Sequence, residues 1–132
     1  MIPKNSELVI LDFYNTLVVE SEDKIKLRDD IFSQIVRLRL KGKKIAISSS
    51  SPLEEILNFP EFLKIRTFIW GIYGKEHIIK ENGKEYKNLG LICKEMKTEP
   101  ENAVMIGDNY KKIDEESSKK FGVQFVPYKN ES

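Results

Sequence analysis

The sequence predicts an α/β protein: a doubly wound, mostly parallel sheet of about five strands, covered by helices on both faces to give three layers. Short apolar runs alternate with segments of helical periodicity, the pattern of strand–helix–strand units. Those runs are almost continuously apolar, as expected of strands buried on both faces rather than half-solvated ones. No internal repeat, low-complexity tract or linker interrupts residues 1–132, so the whole chain is expected to form one domain.

In chain order, LVILD (8–12) reads as a buried strand. Residues 25–42 carry apolar side chains at Ile31, Ile35 and Leu38 and stop at Gly42, which predicts a helix. KIAIS (44–48) is a second buried strand, and SPLEEILN (51–58) begins a helix with Pro52 in its first turn. IRTFIW (65–70) is expected to be a third strand. HIIKENGKEY (77–86) has the Asn82-Gly83 pair of a tight hairpin. NLGLICKEM (88–96) is a helix and AVMIG (103–107) a fourth strand. DEESSKKFG (114–122) is a short helix closed by Gly122, and VQFVP (123–127) follows as the last strand.

Composition excludes several classes. The chain is 40% hydrophobic and 33% charged, as soluble globular chains are. Its formal net charge of +1 offers no field for nucleic acid or a membrane surface. Cys93 is the single cysteine, so there is neither a disulfide framework nor a cysteine-built zinc site. MIPKNSEL is too polar for a signal peptide, and no apolar run reaches the length of a membrane span. A cytoplasmic protein is the expectation.

In doubly wound sheets, ligands bind beyond the carboxyl ends of the strands. The first strand ends in Asp12, the second in Ser48-Ser49-Ser50-Ser51, and the fourth in Gly107-Asp108-Asn109. Two carboxylates at neighbouring strand ends repel unless a cation sits with them, and magnesium suits oxygen ligands. Beside such an ion a carboxylate can attack phosphorus and form an acyl phosphate. Hydroxyls and a lysine should surround the transferring group; Thr16, Ser49, Ser50 and one lysine are the candidates.

These residues, in this order, resemble the haloacid dehalogenase superfamily of Asp-nucleophile hydrolases over nearly the whole chain. LVILDFYNTL resembles its first motif, which implies Asp12 as nucleophile and Thr16 as a residue holding the loop. GKKIAISSS resembles the second motif, with Ser49 in the phosphate-binding role and Ser48 as the neighbouring choice. VMIGDN resembles the fourth, with Asp108 a magnesium ligand. The resemblance implies Asp12 and the Tyr14 backbone carbonyl as further ligands. Asn109 matches the Asp-Asn variant of the superfamily's carboxyl-terminal-domain phosphatases, which adds it to the metal set. Asp114 lies six positions beyond Asp108 and is either an outer partner of the metal or simply the start of a helix. For the motif lysine, KEHIIKENGKEYKNLGLI resembles the hairpin-then-Lys segment of the same phosphatases. That points to Lys87, with Lys84 the runner-up and Lys80 a third candidate.

Tyr14 departs from the pattern. Superfamily phosphatases carry an Asp there, which protonates the leaving oxygen and then activates water. A phenol, with an ordinary pKa of about 10, is a poor base at neutral pH. Three functions are compatible. One is a magnesium-dependent phosphohydrolase acting through an aspartyl-phosphate, with Tyr14 restricting it to good leaving groups such as aryl or acyl phosphates. The second is a non-catalytic or regulatory domain that binds phosphate or metal. The third is a 2-haloacid dehalogenase, since Asp12-Phe13-Tyr14-Asn15-Thr16 matches the Asp-x-Tyr-x-Thr of those enzymes. The chain between Asp12 and Ser49 has room for a loop and one helix, not for the dehalogenase cap, and the stretch to Lys87 is too short for the other cap type. The site is therefore expected to be open, with a phosphorylated small molecule or protein as partner, or closed by a second copy. Residues 18–26 should form a flap, whose Glu20, Glu22 or Asp23 could replace the missing acid. Trp70 is expected in the core, at the rim or as a substrate platform, and His77 exposed in the hairpin.

Overall fold

The computed structural model describes residues 3 and 5–128; Met1, Ile2 and Lys4 of the polar amino-terminal stretch lie outside the described residues. The elements are β1 (Leu8–Leu11), β2 (Val18–Ser21), β3 (Lys24–Leu27), α1 (Ile31–Leu40), β4 (Lys44–Ser48) and α2 (Leu53–Leu57). They continue with β5 (Gly71–Tyr73), β6 (Ile78–Glu81), β7 (Lys84–Lys87), α3 (Leu89–Glu95), β8 (Ala103–Gly107), α4 (Ile113–Phe121) and β9 (Gln124–Pro127). The main sheet runs β5-β4-β1-β8-β9, with every neighbouring pair parallel. Strand order reverses at β1, so β1 and β8 flank the switch point where a crevice opens.

Side-chain alternation assigns each strand residue to a face. Val9, Leu11, Ile45, Ile47, Val104 and Ile106 pack with Ile31, Ile35 and Leu38 of α1. Leu8, Ile10, Ala46 and Met105 pack with Leu89, Ile92 and Cys93 of α3. Both faces of the sheet are thus covered, which explains the near-continuous apolar runs.

Two expected elements are corrected. Residues 25–42 are not one helix: β2 and β3 form an antiparallel hairpin, and α1 starts only at Ile31. The hairpin turns at Glu22 and Asp23, both with positive φ (50° and 64°). That is primed-turn geometry built without the usual glycine, so its sequence signal is absent. The other hairpin, β6–β7, turns at Asn82 and Gly83 as predicted. Residues 65–70 are not a strand: Arg66–Phe68 is a 3-10 turn, and the edge strand β5 begins at Gly71. Ile65 and Phe68, three apart, turn into the core together, a spacing that suits a tight helix rather than a strand.

Trp70 therefore precedes β5, at the amino edge of the sheet. It is half exposed and lies against Arg39 and Lys44. His77 is half-buried, with its ring edge-on to Tyr73. Gly122, at φ 73°, closes α4. No helix among the described residues is long and apolar enough to cross a membrane.

Candidate active site

The carboxyl ends of β1, β4 and β8 open into a cleft of about 590 Å³. Its walls include Asp12, Tyr14, Ser49, Ser50, Lys87, Asp108 and Asp114. Asp12 is the first residue past β1. Its N–H extends the ladder by donating to Ile106 O at 3.0 Å, and its Oδ1 accepts the Phe13 N–H at 2.8 Å.

Lys87 ends β7. Its N–H donates to Ser117 Oγ of α4 at 2.8 Å, and the next residue, Asn88, caps α3 by accepting the Leu91 N–H at 3.1 Å. Held by both helices, the Lys87 side chain is 3% exposed and donates to Asp12 Oδ1 at 2.9 Å and Asp114 Oδ1 at 2.6 Å. Burial alone would lower the Lys87 pKa, but the two carboxylates outweigh it and hold the ammonium above its ordinary value. Asp12 behaves oppositely. Burial pushes its pKa up to about 7, with Asp114 adding to the rise and Lys87 opposing it.

Asp114 is both a helix-start residue and a wall of the cleft. It stands in the first turn of α4, 2% exposed, and its carboxylate also belongs to the site. Carboxylate oxygens of Asp12, Asp108 and Asp114 lie within 4.8 Å of one another. Gly107 makes that approach possible: a methyl group there would sit 2.1 Å from Asp114 Oδ2 and 3.0 Å from Asp12 Cβ. Asp108 is oriented by Asn15 Nδ2 at 3.3 Å and the Tyr110 N–H at 3.3 Å.

These donors fit a hard divalent ion such as magnesium. Three carboxylates converge, and burial penalises the bare Asp12 charge, which a cation would offset. The Tyr14 carbonyl accepts no hydrogen bond from any described residue and is open as a further oxygen donor.

Ser49 and Ser50 line the cleft, whereas Ser48 is buried in β4 and does not. Ser49 is fixed by its N–H to Tyr73 O at 2.8 Å and by accepting the Ser51 N–H at 3.1 Å. Three expected residues lie elsewhere. Lys84 is a hairpin residue with its side chain 62% exposed, 4.0 Å from Glu116. Thr16 is fully buried under the loop with Oγ1 unpaired, and it is not part of the cleft wall. Asn109 turns through a left-handed conformation (φ 63°) that carries its side chain to α4. There it accepts the Glu115 N–H at 3.0 Å and donates to Glu115 Oε1 at 3.2 Å. What Asn109 gives the acidic cluster is its N–H, to Asp114 Oδ2 at 3.2 Å.

Tyr14 lines the cleft, and its hydroxyl donates to Glu55 Oε2 of α2 at 3.1 Å. Burial first, then that hydrogen bond, raises the phenol pKa above its ordinary value, so the ring stays protonated at neutral pH. The flap, β2–β3, contributes Val19 and Glu20 to the wall. Asn15, Ser51 and Tyr110, in turns beside the strand ends, and Ile113, the first residue of α4, complete it; no periodicity signals a role for them there.

Comparison with known proteins agrees with this layout. Residues 2–127 match the family described as haloacid dehalogenase-like hydrolase. Among solved structures, a predicted phosphoglycolate phosphatase from Haemophilus somnus superposes with a TM-score of 0.74 at 10% identity, over 94% of this chain and 85% of that one. A haloacid dehalogenase-like family hydrolase from Streptococcus pneumoniae gives 0.73 at 16% identity, over 95% and 85%. The amino-terminal part of a Bacteroides fragilis protein, containing a phosphatase domain and complexed with Mg, gives 0.68 at 18% identity, over 92% of this chain and 35% of that one. Among curated proteins, none matches the chain. The match over almost its full length establishes that the chain belongs to the haloacid dehalogenase-like hydrolases.

Proposed function

We propose that the protein is a magnesium-dependent phosphohydrolase that works through an aspartyl-phosphate on Asp12. The observation that carries this reading is the convergence of Asp12, Ser49, Lys87, Asp108 and Asp114 on one cleft. Asp12, Asp108 and the Tyr14 carbonyl would hold the ion, with Asp114 supporting them. When bound, the ion neutralises charge on the phosphoryl oxygens and orients the group.

The chain's own residues supply the rest. Asp12 Oδ attacks phosphorus and expels the leaving oxygen. Lys87 holds Asp12 in place and meets the charge on the phosphoryl oxygens, with the Ser49 hydroxyl and the Ser50 backbone beside it. Tyr14 directs its proton to Glu55, so leaving groups that need no protonation are favoured: aryl and acyl phosphates. The open cleft admits a phosphorylated small molecule or a protein side chain, in a cytoplasmic protein that can act alone or as a homo-oligomer.

The Tyr14–Glu55 bond also favours a second reading, in which the domain binds phosphate and metal without turnover. Hydrolysis of para-nitrophenyl phosphate, with and without magnesium, separates the two. Magnesium-dependent turnover that vanishes in Asp12→Asn supports the phosphohydrolase. Absence of turnover in the natural protein, with turnover in Tyr14→Asp, supports the binding domain.

A further inference from the structure

We propose that Glu20 is the general base of the second half-reaction, taking the proton of the water that frees phosphate from Asp12. The inference rests on the phosphohydrolase reading above and asks which group does the work that Tyr14 cannot.

The acids lining the cleft are Asp12, Asp108, Asp114 and Glu20. The three aspartates form the cluster beside Lys87 and are committed to nucleophile and cation. Glu20 is the remaining one, exposed, with no hydrogen-bond or ion-pair partner among the described residues. Tyr14 is already engaged, its hydroxyl 3.1 Å from Glu55 Oε2, and Glu55 does not line the cleft.

Glu20 is carried by a built element rather than a loose loop. The Asn15 N–H donates to Val18 O at 2.8 Å, and Tyr14 bridges to Val18, so the start of β2 is pinned against the nucleophile loop. Val18 is fully buried. The return strand is held by Leu27 N–H to Glu61 Oε1 at 3.1 Å and Arg28 N–H to Leu17 O at 3.0 Å. Two residues beyond Val18, Glu20 lines the same cleft as Tyr14 and Asp12.

In the step itself, the water oxygen bonds to phosphorus while the bond from phosphorus to Asp12 Oδ breaks. The electron pair returns to the Asp12 carboxylate, the water proton passes to Glu20 and then to solvent, and inorganic phosphate leaves. No oxidant or further reactant is needed.

The test is rapid-quench kinetics with acetyl phosphate and magnesium. Glu20→Gln, on an exposed residue, should keep the initial burst of acetate and lower steady-state turnover by about 10²-fold, while Glu20→Asp recovers part of the loss. Turnover of Glu20→Gln within about threefold of the natural protein would overturn the inference. So would loss of the burst together with turnover, or a fall in Glu55→Gln without one in Glu20→Gln. Natural protein with no Asp12-dependent turnover would instead overturn the phosphohydrolase reading, and Glu20 with it. Asp12-dependent turnover that survives Glu20→Gln would sink Glu20 alone.

Discussion

Replacing Lys87 by methionine removes the cation that sits between Asp12 and Asp114 while keeping most of the side-chain volume. The perturbation is severe because of where the lysine lies: its side chain is 3% exposed, Asp114's is 2%, and the contacts are 2.9 and 2.6 Å. Breaking a buried ion pair from one side leaves an uncompensated charge and costs about 3 to 5 kcal/mol. At roughly 3 to 5 °C per kcal/mol for a domain of this size, Tm should fall by about 10 to 20 °C in magnesium-free buffer. Adding Asp114→Asn to Lys87→Met removes one of the stranded charges and should recover about 1 to 3 kcal/mol, a coupling expected of residues in contact. Magnesium should narrow the gap as well, because the ion supplies the missing positive charge. Urea denaturation of the single and double variants at neutral pH measures all of this. A Lys87→Met cost below about 1 kcal/mol would refute the buried triad as a structural element.

Four further outcomes are expected. The Asp12 carboxyl binds its proton more tightly folded than unfolded, its pKa rising from 3.8 to about 7, so the magnesium-free stability of the natural protein relative to Asp12→Asn should decline as pH rises through that window, and a difference in urea midpoints that stays flat or grows from pH 4 to 7 would contradict it. Magnesium at ten times its dissociation constant should stabilise the natural protein by about 1.4 kcal/mol in thermal melts, and Asp108→Asn should abolish most of that gain. Gly107→Ala should cost about 1 to 3 kcal/mol and weaken magnesium binding, because its methyl group meets Asp114 Oδ2; calorimetric titration reports the binding. Tyr14→Asp should raise turnover of alkyl phosphates, whose leaving oxygen needs a proton, by about 10²-fold while changing aryl phosphates far less, and an unchanged alkyl phosphate rate would mean that Tyr14 is not what limits the acid step.

Legibility followed the physics of each segment. Strands β1, β4 and β8 were readable because burial on both faces leaves apolar side chains at almost every position. The carboxyl ends of those strands then pointed to Asp12, Ser49 and Asp108. Asn82-Gly83 announced one hairpin, whereas Glu22-Asp23 made the same kind of turn without glycine and hid the other. Ile65 and Phe68 are apolar residues that serve a tight turn as well as a strand, so composition alone misassigned them. Lys87 and Lys84 differ only in how the hairpin end packs under α3 and α4, a tertiary fact. The placement of Asn109 and Asp114 is a tertiary fact as well: a left-handed backbone at position 109 sends its amide side chain to Glu115, and the glycine at 107 leaves room for the Asp114 carboxylate beside Asp12.

The central claim is that Asp12 becomes covalently phosphorylated during turnover. It is tested most directly by quenching the protein with borohydride while it turns over acetyl phosphate and magnesium, then mapping peptides by mass spectrometry. Borohydride reduces an acyl phosphate to the alcohol. The account predicts reduced side chain at position 12, absent without magnesium and absent in Asp12→Asn. Reduction at another carboxylate, or turnover with position 12 untouched, would contradict it.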